Sequence, residues 1–157
     1  VVNVAQLGTS ANATIIQCHV VAMFAPSFFT GNLIQRFGII KILLAGLLAY
    51  IVAMATALAG DQFIHYFVAL FLLGLGWNFL YIGGSTLVAS VATAEERGRV
   101  QGVADLATTS LVAMASLTAG GLHSQFGWHV LILAGCVPVA ILACGLGWLG
   151  VHQRHIA

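Results

Sequence analysis

The sequence predicts an all-α membrane protein, a polytopic bundle of transmembrane helices. Of its 157 residues, 61% are hydrophobic and 6% are charged, whereas a soluble domain carries about 25% charged residues. Apolar stretches long enough to cross a bilayer recur along the whole chain, and they show no sustained period of two of the kind that a transmembrane β-barrel requires. We therefore expect the lipid bilayer to surround most of the chain.

Hydropathy, interrupted by glycine, proline and charge, divides the chain into five complete spans. Residues 1–10 are too short to span and are assigned to the end of a preceding helix and an extracytoplasmic loop. The transmembrane bundle covers residues 11–150 and residues 151–157 form a tail; the spans lie at about residues 11–30, 39–59, 63–92, 103–122 and 130–150. At about 1.5 Å per residue, each span can cross roughly 30 Å of hydrocarbon.

Each span is bounded by a polar or glycine-rich connection. The first ends before residues 31–41, and the second ends at the turn around Gly60. The third is the longest, so we expect it to tilt or to extend past the membrane surface. The fourth follows residues 94–102, and the fifth follows residues 123–128.

Positive charge distinguishes the two sides of the predicted bundle. Short loops place successive connections on opposite sides of a membrane. All Lys and Arg residues fall in or beside the first loop, in the third loop or in the tail: Arg36, Lys41, Arg97, Arg99 and Arg154. The second and fourth loops contain none. The positive-inside rule therefore predicts a cytoplasmic C-terminus.

The first loop resembles the fourth. Residues 30–38 align with residues 119–127, and the matched pairs are Gly31 with Gly120, Leu33 with Leu122, Phe37 with Phe126, and Gly38 with Gly127. The two copies lie on opposite sides of the membrane, because an odd number of spans separates them. This is the pattern of three-helix units repeated with inverted topology.

Four stretches resemble transporters of the major facilitator superfamily. Residues 31–41, GNLIQRFGIIK, are similar to the family signature G-x-x-x-D-R-x-G-R-R, with Gln35 at the acidic position. Residues 94–102, AEERGRVQG, are similar to the E-R-G-R-x-x-G loop that leads into the eleventh helix. Residues 23–31 and 74–84 resemble a bacterial branch of the family.

The resemblance implies the C-terminal six-helix half of a secondary transporter, from about the eighth helix to its end. Such a protein moves a small solute by alternating access, with a proton or sodium as candidate coupling ion, and lies in the bacterial inner (plasma) membrane. The chain starts at Val1 without a basic leader, and we expect it to pair with an N-terminal six-helix half that is missing here.

The resemblance also implies a gate built from the cytoplasmic loops. Its candidate residues are Gly31, Gln35, Arg36, Gly38, Glu95, Glu96, Arg97 and Arg99. An ion pair or an Arg-to-backbone bond between adjacent helix ends would hold the inward gate closed. The alternative is that these charges are solvated topology signals.

Polar side chains at membrane depth are candidates for the solute cavity. Trp77, Asn78 and Tyr81 lie at helical spacing in the third span, and His19 lies in the first. The alternative is that Asn78 and His19 bond neighbouring helices while the aromatic rings pack. Asp105 is a candidate for proton coupling, and its alternative role is to interact with the N-terminus of the fourth span.

Other functional classes find less support in the residues. A membrane enzyme requires clustered acid, base or metal-ligand side chains, and a channel requires a charged ring or a filter loop. Neither pattern is evident, so we assign no catalytic residue, metal site or cofactor. The scattered cations also argue against nucleic acid as a partner. A channel or structural subunit and a membrane enzyme remain as alternatives to a transporter.

Overall fold

The protein is helical, which confirms the predicted fold class. The computed structural model describes residues 8–154, without the side chains of Trp128 and residues 151–154. Residues 1–7, to which part of the predicted leading loop belongs, and residues 155–157 lie outside the described residues. The helices are α1 (Thr9–Phe24), α2 (Ser27–Phe37), α3 (Ile39–Ala59), α4 (Phe63–Val91), and a helical stretch Arg97–Arg154 that Gly127 divides into α5 (Arg97–Gly127) and α6 (His129–Gly150).

Four of these helices, α3 to α6, are long and apolar enough to cross a membrane. The pair α1 and α2 makes a fifth candidate span if it is counted as one bent element, with an angle of 44° between its parts. The range of α3 coincides with the predicted residues 39–59, because apolar residues continue without interruption to Gly60.

The predicted first span, residues 11–30, covers parts of two helices, α1 and α2. Pro26 interrupts the helix, since proline has no N–H to donate and its ring clashes with the preceding turn. Beyond it, α2 continues to Phe37 and carries the polar residues that were assigned to a loop. Only Gly38 separates α2 from α3.

The fourth predicted span, residues 103–122, lies within a longer helix, α5. Its helix begins at Arg97 after a capping arrangement, in which the Thr93 hydroxyl lies 3.3 Å from the Glu96 backbone nitrogen and 2.9 Å from Glu96 Oε2. It then continues through the predicted fourth loop to Gly127. The predicted tail is also partly helical, because the helical stretch continues to Arg154.

The two aligned glycines of the sequence repeat share a backbone conformation. Gly38 has φ 87° and ψ 153°, and Gly127 has φ 78° and ψ −177°. This region of backbone space is open essentially to glycine alone. Each glycine joins two helices directly, which supports the repeat.

Helix α4 packs between α1 and α3 through glycine. A Cβ atom on Gly74 would lie 2.5 Å from the carbonyl oxygen of His19 in α1, and one on Gly76 would lie 2.9 Å from the carbonyl oxygen of Gly46 in α3. Such close approach is the usual way in which membrane helices gain contact. In the same part of α3, Leu43 and Leu47 pack against Leu146 of α6.

Helix α5 has a different environment. No residue of Arg97–Gly127 is buried, and Leu106, Leu111 and Leu117 are among its exposed apolar side chains. Its side-chain hydrogen bonds to α4 come from the part near Arg97, where both helices carry polar residues.

Candidate functional site

A polar cavity of about 330 Å³ lies between α4 and α5. Helix α4 contributes Trp77, Tyr81 and Ser85, which are spaced four residues apart and so share one face. Helix α5 contributes Gln101 and Asp105, which have the same spacing. The volume is within the range of small-molecule sites, about 300–1,000 Å³.

Hydrogen bonds join the polar side chains of this cavity. The Tyr81 hydroxyl donates to Asp105 Oδ1 over 3.2 Å, and Gln101 Nε2 lies 3.2 Å from the same oxygen. Gln101 Nε2 also donates to Ser85 Oγ at 2.7 Å. Within residues 8–154, Asp105 Oδ2 has no hydrogen-bond partner, so it can accept a bond from a solute.

Two aromatic side chains line the cavity on the α4 side. The rings of Trp77 and Tyr81 are stacked, with centroids 4.7 Å apart and planes 7° apart. Phe24 of α1 meets Trp77 edge-on, with centroids 6.1 Å apart. These contacts between rings give this side of the cavity an aromatic surface.

Asp105 is not at a helix N-terminus. Because α5 begins at Arg97, Asp105 lies in its third turn, and its carboxylate is directed to side chains of the cavity. Asp105 therefore does not interact with the N-terminus of α5, which was the alternative role considered from the sequence.

Asn78 lines neither the polar cavity nor the larger cavity beside His19. Its side chain is 1% exposed, and its amide nitrogen lies 2.7 Å from the Met23 carbonyl oxygen and 2.7 Å from Ser27 Oγ. Its amide oxygen accepts a hydrogen bond from Thr30 Oγ1 at 2.7 Å. Asn78 thus ties α4 to the break between α1 and α2, in agreement with the alternative interpretation of the sequence.

His19 lies in a second cavity, of about 510 Å³, between α3, α4 and α6. Its Nδ1 is 2.7 Å from the Leu70 carbonyl oxygen, an interhelical bond. Trp77 lines both cavities. Of the sequence-predicted cavity residues, Tyr81 thus lines the polar cavity, His19 lines the second cavity, and Trp77 lies between the two.

The candidate gate residues are all exposed: Gly31, Gln35, Arg36, Gly38, Glu95, Glu96, Arg97 and Arg99. The Arg36 guanidinium lies 5.4 Å from the centroid of the Phe37 ring. Among the described residues, Arg36 makes no ion pair with Glu95 or Glu96, and Glu96 instead caps α5 through Thr93. The structure therefore does not bring Arg36 and the acidic pair together.

Sequence reasoning missed Ser85, Gln101 and Thr30. The signal for the first two was present, since Ser85 lies four residues after Tyr81 and Gln101 lies four residues before Asp105. Thr30 carried no such signal, because its partner Asn78 is 48 residues away. Among the described residues no cluster of His, Cys, Asp and Glu could hold a metal ion.

Comparison with known proteins places this geometry in context. Residues 3–156 match the family model described as Major Facilitator Superfamily. The chain is 47% identical over 116 residues to the riboflavin transporter RfnT of Brucella anthropi, covering 74% of the chain and 29% of that protein. It is 31% identical over 133 residues to the uncharacterized MFS-type transporter YdeG of Bacillus subtilis, covering 83% of the chain and 29% of that protein.

A further relative is the cis,cis-muconate transport protein of Acinetobacter baylyi, 30% identical over 117 residues, covering 74% of the chain and 28% of that protein. The chain thus spans less than a third of the length of these three relatives. No solved structure matches the chain.

Proposed function

The chain belongs to the major facilitator superfamily, and we propose that the complete protein transports a small solute across a membrane by alternating access. The observation that carries the proposal is the polar cavity, in which a stacked aromatic pair and an acidic side chain face the same space at the junction of two spans. In transporters of this kind, solute sites lie near the bilayer midplane between helices that move relative to one another.

We further propose that the solute is planar, aromatic and rich in hydrogen-bonding groups, as riboflavin is. The stacked rings of Trp77 and Tyr81 suit a flat ring system, and Asp105 with Gln101 suits hydroxyl or imide groups. The riboflavin transporter at 47% identity supports this class.

A dianionic solute such as cis,cis-muconate fits less well. No Lys or Arg among the described residues lines the polar cavity, whereas Asp105 does. A carboxylate repels an anion unless it is protonated, and a buried anion without a cationic partner is costly. The 30% identity to a muconate transport protein therefore carries less weight than the charge of the cavity.

Asp105 is the proposed coupling residue, with a proton as the coupling ion. The carboxyl group can carry one proton on Oδ2 while Oδ1 remains bonded to Tyr81 and Gln101. Sodium is the less favoured ion, because it requires several oxygen ligands and the described part of the cavity offers a single carboxylate.

The exposed gate residues are proposed to meet a second six-helix half. Arg36 has no acidic partner among the described residues, so a partner from that half would complete the gate. The cations at these helix ends also support a cytoplasmic position, with the protein in the inner membrane of a bacterium and its C-terminus in the cytoplasm.

The test is uptake of radiolabelled riboflavin into proteoliposomes that contain the complete protein, with and without an imposed proton gradient. Asp105→Asn should abolish gradient-driven accumulation while riboflavin counterflow, which requires no net proton movement, continues. Asp61→Asn is the matched control, because Asp61 also accepts a hydrogen bond from a tyrosine, Tyr66, but lies outside the cavity.

Failure of riboflavin to enter, with muconate entering instead, would refute the solute class. Equal behaviour of Asp105→Asn and Asp61→Asn would refute the coupling role.

A further inference from the structure

The second cavity differs in chemistry from the polar one. Its walls are almost entirely aliphatic, and no Asp, Glu, Lys or Arg is among the described residues that line it. The lining residues that carry a polar nitrogen or oxygen in their side chains are His19, Tyr50 and Trp77. A charged molecule would lose its hydration there without gaining a counter-ion, so the cavity favours an uncharged one.

The hydrogen bond of His19 determines which proton the ring carries. A carbonyl oxygen can only accept, so the 2.7 Å contact with Leu70 requires the proton to be on Nδ1. In the neutral ring Nε2 then carries a lone pair. Among the described residues Nε2 has no hydrogen-bond partner, and it is the ring nitrogen that remains to accept a bond from a molecule in the cavity.

We propose that this cavity is a second ligand site, for an uncharged and largely apolar molecule that carries one hydrogen-bond donor. The volume of about 510 Å³ suits a molecule of two or more rings. The rings of Tyr50 and Trp77 supply aromatic contact, and His19 Nε2 accepts the donor. The proposal does not rest on transport, because occupancy of the site is an equilibrium property.

The probe is 2-naphthol, and 2-methoxynaphthalene, which has the same rings but no donor, is its control. Binding of each to the complete purified protein is measured by isothermal titration calorimetry in detergent. The wild-type protein should bind 2-naphthol about fivefold more tightly than the ether, as one net hydrogen bond provides.

His19→Asn distinguishes the role of Nδ1 as a donor from the role of Nε2 as an acceptor. The asparagine amide can still donate to the Leu70 carbonyl oxygen, but it cannot place an acceptor where Nε2 lies. We expect the preference for 2-naphthol to disappear and the affinity for the ether to remain. His19→Gln, whose longer amide reaches the position of Nε2, should recover the preference.

A second pair of variants tests whether the two probes bind in the apolar cavity. Gly135→Leu adds a side chain inside the apolar cavity, where the nearest atom to a new Cβ is the flexible Met54 Cε at 3.3 Å. It should abolish binding of both probes. Gly145→Leu adds the same bulk to the same helix, in open space outside both cavities, and should leave the affinities unchanged.

Unchanged binding in Gly135→Leu, or an unchanged preference in His19→Asn with normal thermal unfolding, would overturn the proposal. So would failure of the wild-type protein to bind 2-naphthol. Riboflavin uptake decides the transport proposal independently, since either experiment can fail while the other succeeds.

Discussion

At the scale of single residues, Asn78 shows how a polar side chain in a membrane helix can act as a structural tie. It satisfies the carbonyl group of Met23, which lies at the end of α1 where proline interrupts the helical hydrogen bonds. It also bonds Ser27 and Thr30 on the other side of the break. The bend between α1 and α2 is thereby fixed to α4.

Thr30→Val should destabilise the protein by about 1–3 kcal/mol, because it leaves the amide oxygen of Asn78 buried without a donor. Thr30 is 0% exposed, and valine has nearly the same shape. The measurement is the free energy of unfolding of the complete protein in mixed micelles.

Thr118→Val is the control for this substitution. Both hydroxyl oxygens lie within 3.0 Å of the carbonyl oxygen of the residue four positions earlier, but Thr118 is exposed and has no partner on another described helix. A similar loss for both variants would show that the tie to Asn78 contributes little.

The roles of Asn78, Trp77 and Tyr81 could be predicted only in part from the sequence. Helical spacing places Trp77 and Tyr81 on one face of α4, because that relation is local, and both residues line the polar cavity. Whether Asn78 faced the cavity or a neighbouring helix depended on where Met23 and Thr30 lie in space. No local sequence pattern gives the distances from Asn78 to Met23 and Thr30.

At the scale of elements, the glycines of α4 have unequal roles. Gly74, Gly76 and Gly83 lie against α1 or α3. A Cβ atom added to Gly84 would have no neighbouring atom within 4 Å, and this glycine instead lines the polar cavity. Helical pattern alone cannot make this distinction, because it requires knowing which neighbour covers each face.

Gly74→Ala should destabilise the protein by about 1–3 kcal/mol, since its Cβ would meet the His19 backbone and force α1 away from α4. Gly84→Ala in the same helix should have little effect on stability, and by helix propensity it should be neutral or slightly favourable. The comparison is made by thermal unfolding of the purified complete protein. Equal destabilisation by both variants would contradict the packing described here.

Gly38 and Gly127 are predicted to be intolerant of a side chain for a different reason. Alanine at either position would be held at positive φ, at a cost of about 1–3 kcal/mol. Gly31→Ala is the control, because Gly31 lies within α2 with open space around it. Expression level and thermal unfolding report the difference, and a Gly38→Ala variant as stable as Gly31→Ala would refute the strained turn.

The helix bounds show where prediction from hydropathy succeeds. Ile39–Ala59 was predicted because its apolar run ends at a glycine turn. Residues 31–37 and 97–102 were assigned to loops because they are polar, yet they are helical. Polar residues indicate where the chain reaches the membrane surface, but a helix can continue beyond that point.

At the scale of the whole molecule, the arrangement requires its short connections to alternate between the two sides of the membrane. A cysteine introduced at Gln62, between α3 and α4, should react with an impermeant reagent from the periplasmic side. A cysteine at Gly98, at the start of α5, should react from the cytoplasmic side. Reaction of both positions from one side would contradict the order of spans.

Helix α5 has an exposed apolar surface. Leu106, Leu111 and Leu117 lie on a helix that contributes Asp105 to the cavity and has no buried residue of its own. In the complete protein, the second six-helix half is the proposed neighbour of this surface. The solute cavity would then lie between two bodies that move relative to each other.

The most direct measurement is labelling of Ala104→Cys in the complete protein after every native cysteine, including Cys18, Cys136 and Cys144, has been replaced by serine. Ala104 lines the polar cavity. We predict that an impermeant maleimide reaches this cysteine from either side of the membrane, that riboflavin slows both reactions, and that the labelled protein no longer takes up riboflavin. Labelling from one side only under every condition, or full uptake after labelling, would contradict alternating access through this cavity.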